Sequence, residues 1–165
     1  MHQELFESWM RLSLEQAHDA AHTHGELPIG GLIAAGDEVV ELTQTSVVRH
    51  ESIVAHGELI GLLDLKNRIW SLQRPVTLVT TLEPCAMCLG AAIQCGVDRI
   101  VFGMYCAPDG GLAAAAALAD AGQAVPAITG PVLEEQCVET FRKWPQDADH
   151  PAYGYVAAIL KGYGG

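Results

Sequence analysis

The sequence predicts an α/β fold, a three-layer α/β/α sandwich around a mixed, mostly parallel five-stranded sheet. Three observations predict it. The chain opens with helical periodicity, short apolar or β-branched runs then alternate with further helical segments, and Gly or Pro marks most changes of type. A first helix is expected over residues 4–21, because Phe6, Trp9, Met10, Ala17, Ala20 and Ala21 fall on one stripe at helical spacing, interrupted only by Ser13. Gly25 ends it. Residues 28–35 read as a strand with a close-approach pair, Gly30 and Gly31, and Asp37 and Glu38 turn the chain into a second strand over 39–43. A helix over 54–66 carries Leu59, Leu62 and Leu63, and the β-branched run 76–81 after Pro75 makes a third strand. Pro84 opens a helix over 86–94, Gly96 closes it, and 99–103 is an apolar fourth strand. Beyond Gly110 and Gly111 come an alanine-rich helix, a short fifth strand over 124–128, a helix over 131–144 and an aromatic tail.

With 165 residues, no internal repeat and no Ser- or Pro-rich linker, one domain over 1–165 is expected. Half the residues are hydrophobic, which excludes general disorder. Nine Lys and Arg against 20 Asp and Glu give a formal net charge of −11, and residues 1–58 hold 10 of the acidic groups. Such a surface repels phosphate backbones, so a small-molecule partner is expected rather than a nucleic acid. The first eight residues have neither the basic nor the apolar region of a secretion signal. The most apolar stretch, 112–121, is mostly Ala and contains Asp120. A cytoplasmic chain with no membrane contact is the expectation, and five cysteines without regular spacing fit reduced thiols.

Two short segments carry the chemistry, His56-Gly57-Glu58 and Pro84-Cys85-Ala86-Met87-Cys88, each expected where extended chain enters a helix. Cysteines three apart on a helix face the same way, so Cys85 and Cys88 can bind one ion, and a helix N-terminus favours their thiolates. His56 and Glu58 are two apart and can share a site only at a frayed first turn. Three ligands, His56, Cys85 and Cys88, leave the fourth tetrahedral position of a Zn2+ ion to water. Zinc lowers the pKa of that water to about 7, and Glu58 is placed to carry its proton. Attack on a ring carbon bearing an exocyclic amine then releases ammonia. The competing expectations are a closed zinc site completed by His50, Cys95 or Cys106, and a redox Cys-x-x-Cys.

His-x-Glu followed by Pro-Cys-x-x-Cys resembles the signature of the cytidine deaminase superfamily. The similarity runs from Glu26-Leu-Pro-Ile-Gly through Thr81-Leu-Glu-Pro-Cys-Ala-Met-Cys to Gly96-Val-Asp-Arg-Ile-Val-Phe-Gly103. It is greatest to the branch holding guanine, cytosine and tRNA adenosine deaminases. That resemblance implies a cytidine deaminase-like fold, zinc on His56, Cys85 and Cys88, Glu58 as the catalytic proton shuttle, and a homodimer. Members of the branch usually carry an Asn on the second strand, and here Gln44 or Thr45 stands in its region.

A pocket for a base also needs stacking and polar groups, for which Phe102, Asp109, Trp144, Tyr153 and Tyr155 are the candidates. The last 35 residues carry three basic against five acidic side chains, which disfavours an RNA-tracking surface. The expected function is therefore zinc-dependent hydrolytic deamination of a free aminopurine or aminopyrimidine base, of guanine or cytosine type, or of its nucleoside. The alternatives are a tRNA adenosine deaminase forming inosine and a non-enzymatic, zinc-stabilised interaction domain. Glu83 is placed to accept backbone hydrogen bonds near the site.

Overall fold

The computed structural model describes residues 2–144 and 147–164. Its elements are α1 (His2–His24), β1 (Gly30–Ala35), β2 (Glu38–Gln44), α2 (Gly57–Leu65), β3 (Val76–Leu82), α3 (Ala86–Gln94), β4 (Arg99–Met104), α4 (Leu112–Asp120), β5 (Ala127–Thr129), α5 (Glu134–Lys143) and α6 (Tyr153–Lys161), with a 3-10 turn over Lys66–Ser71 after α2. The strands form one sheet in the order β2-β1-β3-β4-β5. β1 pairs antiparallel with both β2 and β3, whereas β3–β4 and β4–β5 are parallel. Four strands therefore run one way and β1 alone runs against them, which is the mixed, mostly parallel sheet expected.

The sheet is covered on both faces because its strands alternate. Leu32, Ala34, Val79 and Val101 join Trp9 and Met10 of α1, Phe141 of α5 and Ile159 of α6 in one core. Ile33, Leu78 and Ile100 point the other way, into a second core with Leu62 and Leu65 of α2, Leu89 of α3 and Ala115 of α4. Every residue of β1 and β3 is buried, as expected of strands sandwiched between helices.

Several boundaries differ from expectation for local reasons. The β1–β2 turn is Gly36-Asp37 with Gly36 at φ +59°, and Glu38 already belongs to β2. Pro126 has no N–H to donate, so β5 begins at Ala127, whose N–H bonds the Asp98 carbonyl. α5 begins only at Glu134, after Leu133 in a left-handed conformation. The aromatic tail is a helix, α6, whose Val156, Ile159 and Leu160 are buried at helical spacing. No helix among the described residues is long and apolar enough to cross a membrane.

Ser13, the break in the apolar stripe of α1, has a structural use. It is buried, its hydroxyl donates to the Trp9 carbonyl, and its own carbonyl lies against Gly30. A Cβ at Gly30 would run into the backbone of Ser13 and Ala17, so helix and strand touch only because both sides are small. Gly30→Ala is expected to lower the unfolding free energy by about 1–3 kcal/mol, the usual cost of overpacking a tight contact. A urea titration with an unchanged midpoint and slope would refute the close approach.

Candidate active site

The carboxyl ends of β2, β3 and β4 lie on one edge of the sheet, together with the amino end of β1, which runs the opposite way. Ligand sites in open α/β sheets form beyond such carboxyl ends. Three connections meet there: residues 45–56 after β2, 83–85 after β3 and 105–111 after β4.

His56 and Cys85 occupy equivalent places. Each is the N-cap of the helix that follows, in extended backbone at φ −69°, while Glu58 and Cys88 sit in the first turns of α2 and α3. The helix starts at Gly57 rather than near residue 54, so His56 and Glu58 face one site although they are two apart. Gly57 is the only residue type that fits between them. A Cβ there would stand 2.8 Å from the Gln44 carbonyl carbon and 3.0 Å from the Thr45 nitrogen.

His56 Nδ1 lies 3.6 Å from Cys85 Sγ and 3.5 Å from Cys88 Sγ. Tetrahedral zinc with Zn–S of 2.3 Å and Zn–N near 2.05 Å requires a separation of about 3.6 Å between those atoms, so the donor set fits the ion. The Cys88 thiol, hydrogen-bonded to Cys85, holds the Cys85 thiol well below its ordinary range, with the His56 ring adding to the effect. Cys88 is pushed up correspondingly, first by that shared proton and then by burial.

His56, Cys85 and Cys88 are the one group of three metal-donating side chains gathered among the described residues. None of the candidate fourth ligands joins them. His50 Nδ1 lies 3.2 Å from the Ser46 carbonyl, Cys106 bonds Asp109, and Cys95 caps the far end of α3.

Glu58 is buried, 6 % exposed, and desolvation raises its pKa against the pull of His56 and of Thr80. The Thr80 hydroxyl donates to Oε1 at 2.9 Å, and Oε2 lies 3.7 Å from Cys88 Sγ. One oxygen is anchored on β3 and the other faces the metal donors.

Glu83 braces the zinc turn, as its position suggested. Its carboxylate accepts the N–H groups of Cys106 and Leu112, both at 3.0 Å, while its own N–H bonds the Met104 carbonyl at 2.7 Å. Cys85 also bridges Gly110, and the Gly111 N–H donates to the Pro84 carbonyl at 2.9 Å. A side chain at Gly110 or Gly111 would collide with Glu83 or with the Pro84–Cys85 backbone.

A cavity of about 530 Å³ opens over His56, Glu58 and Cys85. Val47, Val48, Ile53, Leu27 and Ile29 supply its apolar wall, and His150, Pro151, Ala152 and Tyr155 of the C-terminal segment close another side. Of the residues suggested for substrate contact, Thr45, Asp109 and Tyr155 line this cavity. Gln44, Phe102, Trp144 and Tyr153 lie outside its wall. The Gln44 amide nitrogen reaches Asp19 on α1 at 3.2 Å, Phe102 is buried beneath Gly130, and the Trp144 indole N–H donates to the Glu26 carbonyl at 3.2 Å. Tyr153 stands at the start of α6, two residues before Tyr155.

Sequence reasoning missed Glu26 and His150. Glu26 is 1 % exposed, and its carboxylate accepts the N–H groups of Val48 and Arg49, both at 3.0 Å, holding the loop that carries the apolar wall. An acidic residue next to the apolar Leu27-Pro28-Ile29 was the available signal. Nothing local in the sequence marks His150.

A sequence model described as the cytidine and deoxycytidylate deaminase zinc-binding region matches residues 3–104. The chain is 34% identical over 96 residues to a tRNA-specific adenosine deaminase of Buchnera aphidicola, covering 58% of this chain and 63% of that protein. It is 30% identical over 95 residues to a cytosine deaminase of Candida albicans, covering 57% and 63%. The matched stretch thus spans somewhat under two thirds of the length of either relative. Among solved structures, the guanine deaminase from Nitrosomonas europaea superposes with a TM-score of 0.69 at 21% identity, covering 84% of this chain and 83% of that one, which shows the shared fold.

The purified chain is expected to bind one zinc ion, and His56→Ala or Cys88→Ala to abolish that stoichiometry in atomic absorption. Gly57→Ala is expected to keep the fold but displace the start of α2, lowering stability by about 1–3 kcal/mol and speeding zinc loss to a chelator. Zinc release from Gly57→Ala at the wild-type rate would contradict the contact with Gln44 and Thr45.

Proposed function

This chain belongs to the cytidine and deoxycytidylate deaminase family, and on that premise we propose that it is a zinc-dependent hydrolytic deaminase, replacing an exocyclic ring amine with oxygen and releasing ammonia. The observation that carries this reading is a buried carboxylate facing a His/Cys/Cys centre inside one apolar cavity. A zinc ion held by His56, Cys85 and Cys88 supplies Lewis acidity that brings the pKa of water to about 7. Glu58 does the proton work. Desolvation raises its pKa, so the carboxylate is a stronger base toward a water proton than an exposed one and holds that proton until it is passed on, and Thr80 prevents it from swinging away. It takes one proton from the attacking water to the ring nitrogen, and then carries the second, from the hydroxyl so formed on the ring carbon, to the amine, which leaves as ammonia while the carbon becomes a carbonyl.

The substrate has two readings. Adenosine in tRNA comes first, because tRNA-specific adenosine deaminases recur among the relatives, with identities of 34%, 31% and 37% in three bacteria. This moves the assignment away from the free base that the charge alone favoured. The second reading, a free base or nucleoside, is favoured by electrostatics. The net charge is −11, and Arg11, Arg49, Arg74, Arg142 and Lys143, five of the nine cationic side chains, are already paired with carboxylates. Thr45, Asp109 and Tyr155 are the residues proposed to meet the substrate. A cytoplasmic homodimer completes the proposal, supported by the need for reduced thiols and by exposed Ile53, Val54 and Leu63 around α2.

Ammonia release from guanine, cytosine, adenosine and cytidine, run beside inosine formation in a tRNA anticodon stem-loop, separates the two readings, and a chelator should abolish whichever activity is found. Glu58→Gln is expected to lose about 10²–10⁴ in kcat with zinc content unchanged. Deamination surviving Glu58→Gln at the wild-type rate would remove Glu58 from the chemistry, and no turnover of any of these substrates by the wild type would leave the zinc-stabilised binding domain.

A further inference from the structure

A second cluster of titratable and nucleophilic side chains lies on the rim of the cavity, between the loop after β4 and the C-terminal helix. Asp109 Oδ1 accepts two hydrogen bonds, one from the Cys106 thiol at 2.9 Å and one from the Tyr155 hydroxyl at 3.0 Å. The two donors also touch each other, Cys106 Sγ to Tyr155 oxygen at 3.4 Å. Among the described residues, the hydrogen bonds to Asp109 all fall on Oδ1, and Oδ2 has no partner. The backbone beneath is fixed as well. Cys106 N–H is bound by Glu83, Gly110 N–H by the Cys106 carbonyl, and Gly110 bridges the zinc-ligand residue Cys85. A carboxylate on a loop this constrained, with one oxygen saturated, presents the other in a set direction at the rim of a cavity it helps to line.

We infer that Asp109 is a specificity-determining residue whose free Oδ2 accepts a hydrogen bond from a second donor on the substrate, besides the amine that leaves, and that Tyr155 and Cys106 are positioning residues acting through it. The inference rests on the deaminase reading above. Its chemical content is a neutral N–H or O–H group on the substrate. An ionised carboxylate is an acceptor only, and it repels an anionic group such as a phosphate. A ring N–H at the nitrogen that a nucleoside has glycosylated would satisfy Oδ2, and so would a ribose hydroxyl. Both are hydrogen-bond donors, and they distinguish a free-base enzyme from one that takes a nucleoside within RNA. The geometry also makes Asp109→Asn a sharp probe. The two fixed donors turn the amide oxygen toward Cys106 and Tyr155, so the NH2 group replaces Oδ2 and meets the substrate donor with another donor.

The test uses the zinc-loaded protein and three substrate pairs: guanine and 9-methylguanine, cytosine and 1-methylcytosine, and an anticodon stem-loop with adenosine or 2′-deoxyadenosine at the target. Removing the donor by methylation or deoxygenation is expected to raise wild-type KM about tenfold or more, the usual worth of a hydrogen bond to a charged group. Asp109→Asn should raise KM similarly on the donor-bearing member of the pair, with kcat within threefold and zinc content unchanged, and should no longer distinguish the two members. Loss with the methylated base identifies a ring N–H; loss with the deoxynucleotide identifies a ribose hydroxyl. Tyr155→Phe keeps the ring and removes the hydroxyl. It should raise KM in the wild-type background and have no further effect in Asp109→Asn. Wild-type turnover that Asp109→Asn leaves unchanged, or a Tyr155→Phe effect that persists in full without Asp109, overturns the inference alone. If wild type turns over none of the six substrates, the deaminase reading falls and takes this inference with it.

Discussion

Two helices that begin face to face govern this structure. His56 and Cys85 each stand in extended backbone one residue ahead of a helix, so four side chains from two first turns converge on a volume a few ångströms across. Helix starts suit this task because their unpaired N–H groups and the positive end of the helix dipole favour thiolate and carboxylate charge. The same convergence creates a cost. Three potential anions, from Cys85, Cys88 and Glu58, crowd one imidazole, and burial raises the Glu58 carboxyl pKa. A dication in that position would relieve the repulsion.

The rest of the molecule maintains that approach. α2 can reach the edge of β2 because Gly57 and Gly61 present no side chain to Gln44, Thr45 and Thr43. The loop before α3 is braced by Glu83, whose carboxylate replaces the sheet hydrogen bonds that end at Leu82 and Met104. Glu26 does the same for the loop before α2 by binding the N–H groups of Val48 and Arg49. Two buried carboxylates thus hold the two segments that lead into the metal donors. Each is satisfied by backbone donors rather than by a counter-ion alone, which offsets the cost of burial.

The C-terminal segment gives the cavity its individuality. α6 packs Val156, Ile159 and Leu160 into the core that also holds α1 and α5, and so carries Tyr155 to Asp109 and His150 to the rim. The residues over the centre come from the first two thirds of the chain, and the side that closes over them comes from the last tenth. The family model ends at residue 104 and so does not reach this closing side.

The alternation of helix and strand, the sandwich, and the gathering of His56, Glu58, Cys85 and Cys88 at one site were legible in the sequence, since each depends on spacing within a few residues and on the donor chemistry of the side chains themselves. Local pattern also located Glu83, because it stands in the short turn between the third strand and the Pro84-Cys85 entry to α3. Tertiary structure decided what depends on residues distant in the chain: that β1 is the one reversed strand, that Gly57 lies against β2, that Glu26 holds a loop more than twenty residues away, and that Tyr155 meets Asp109. Gln44, Phe102, Trp144 and Tyr153 show the same limit from the other side, for composition could propose aromatic and amide groups for a pocket but not say which way they would turn. Helical and strand periods record which face of an element is buried, whereas the contents of a cavity depend on how separate elements are packed, and no period along the chain encodes that.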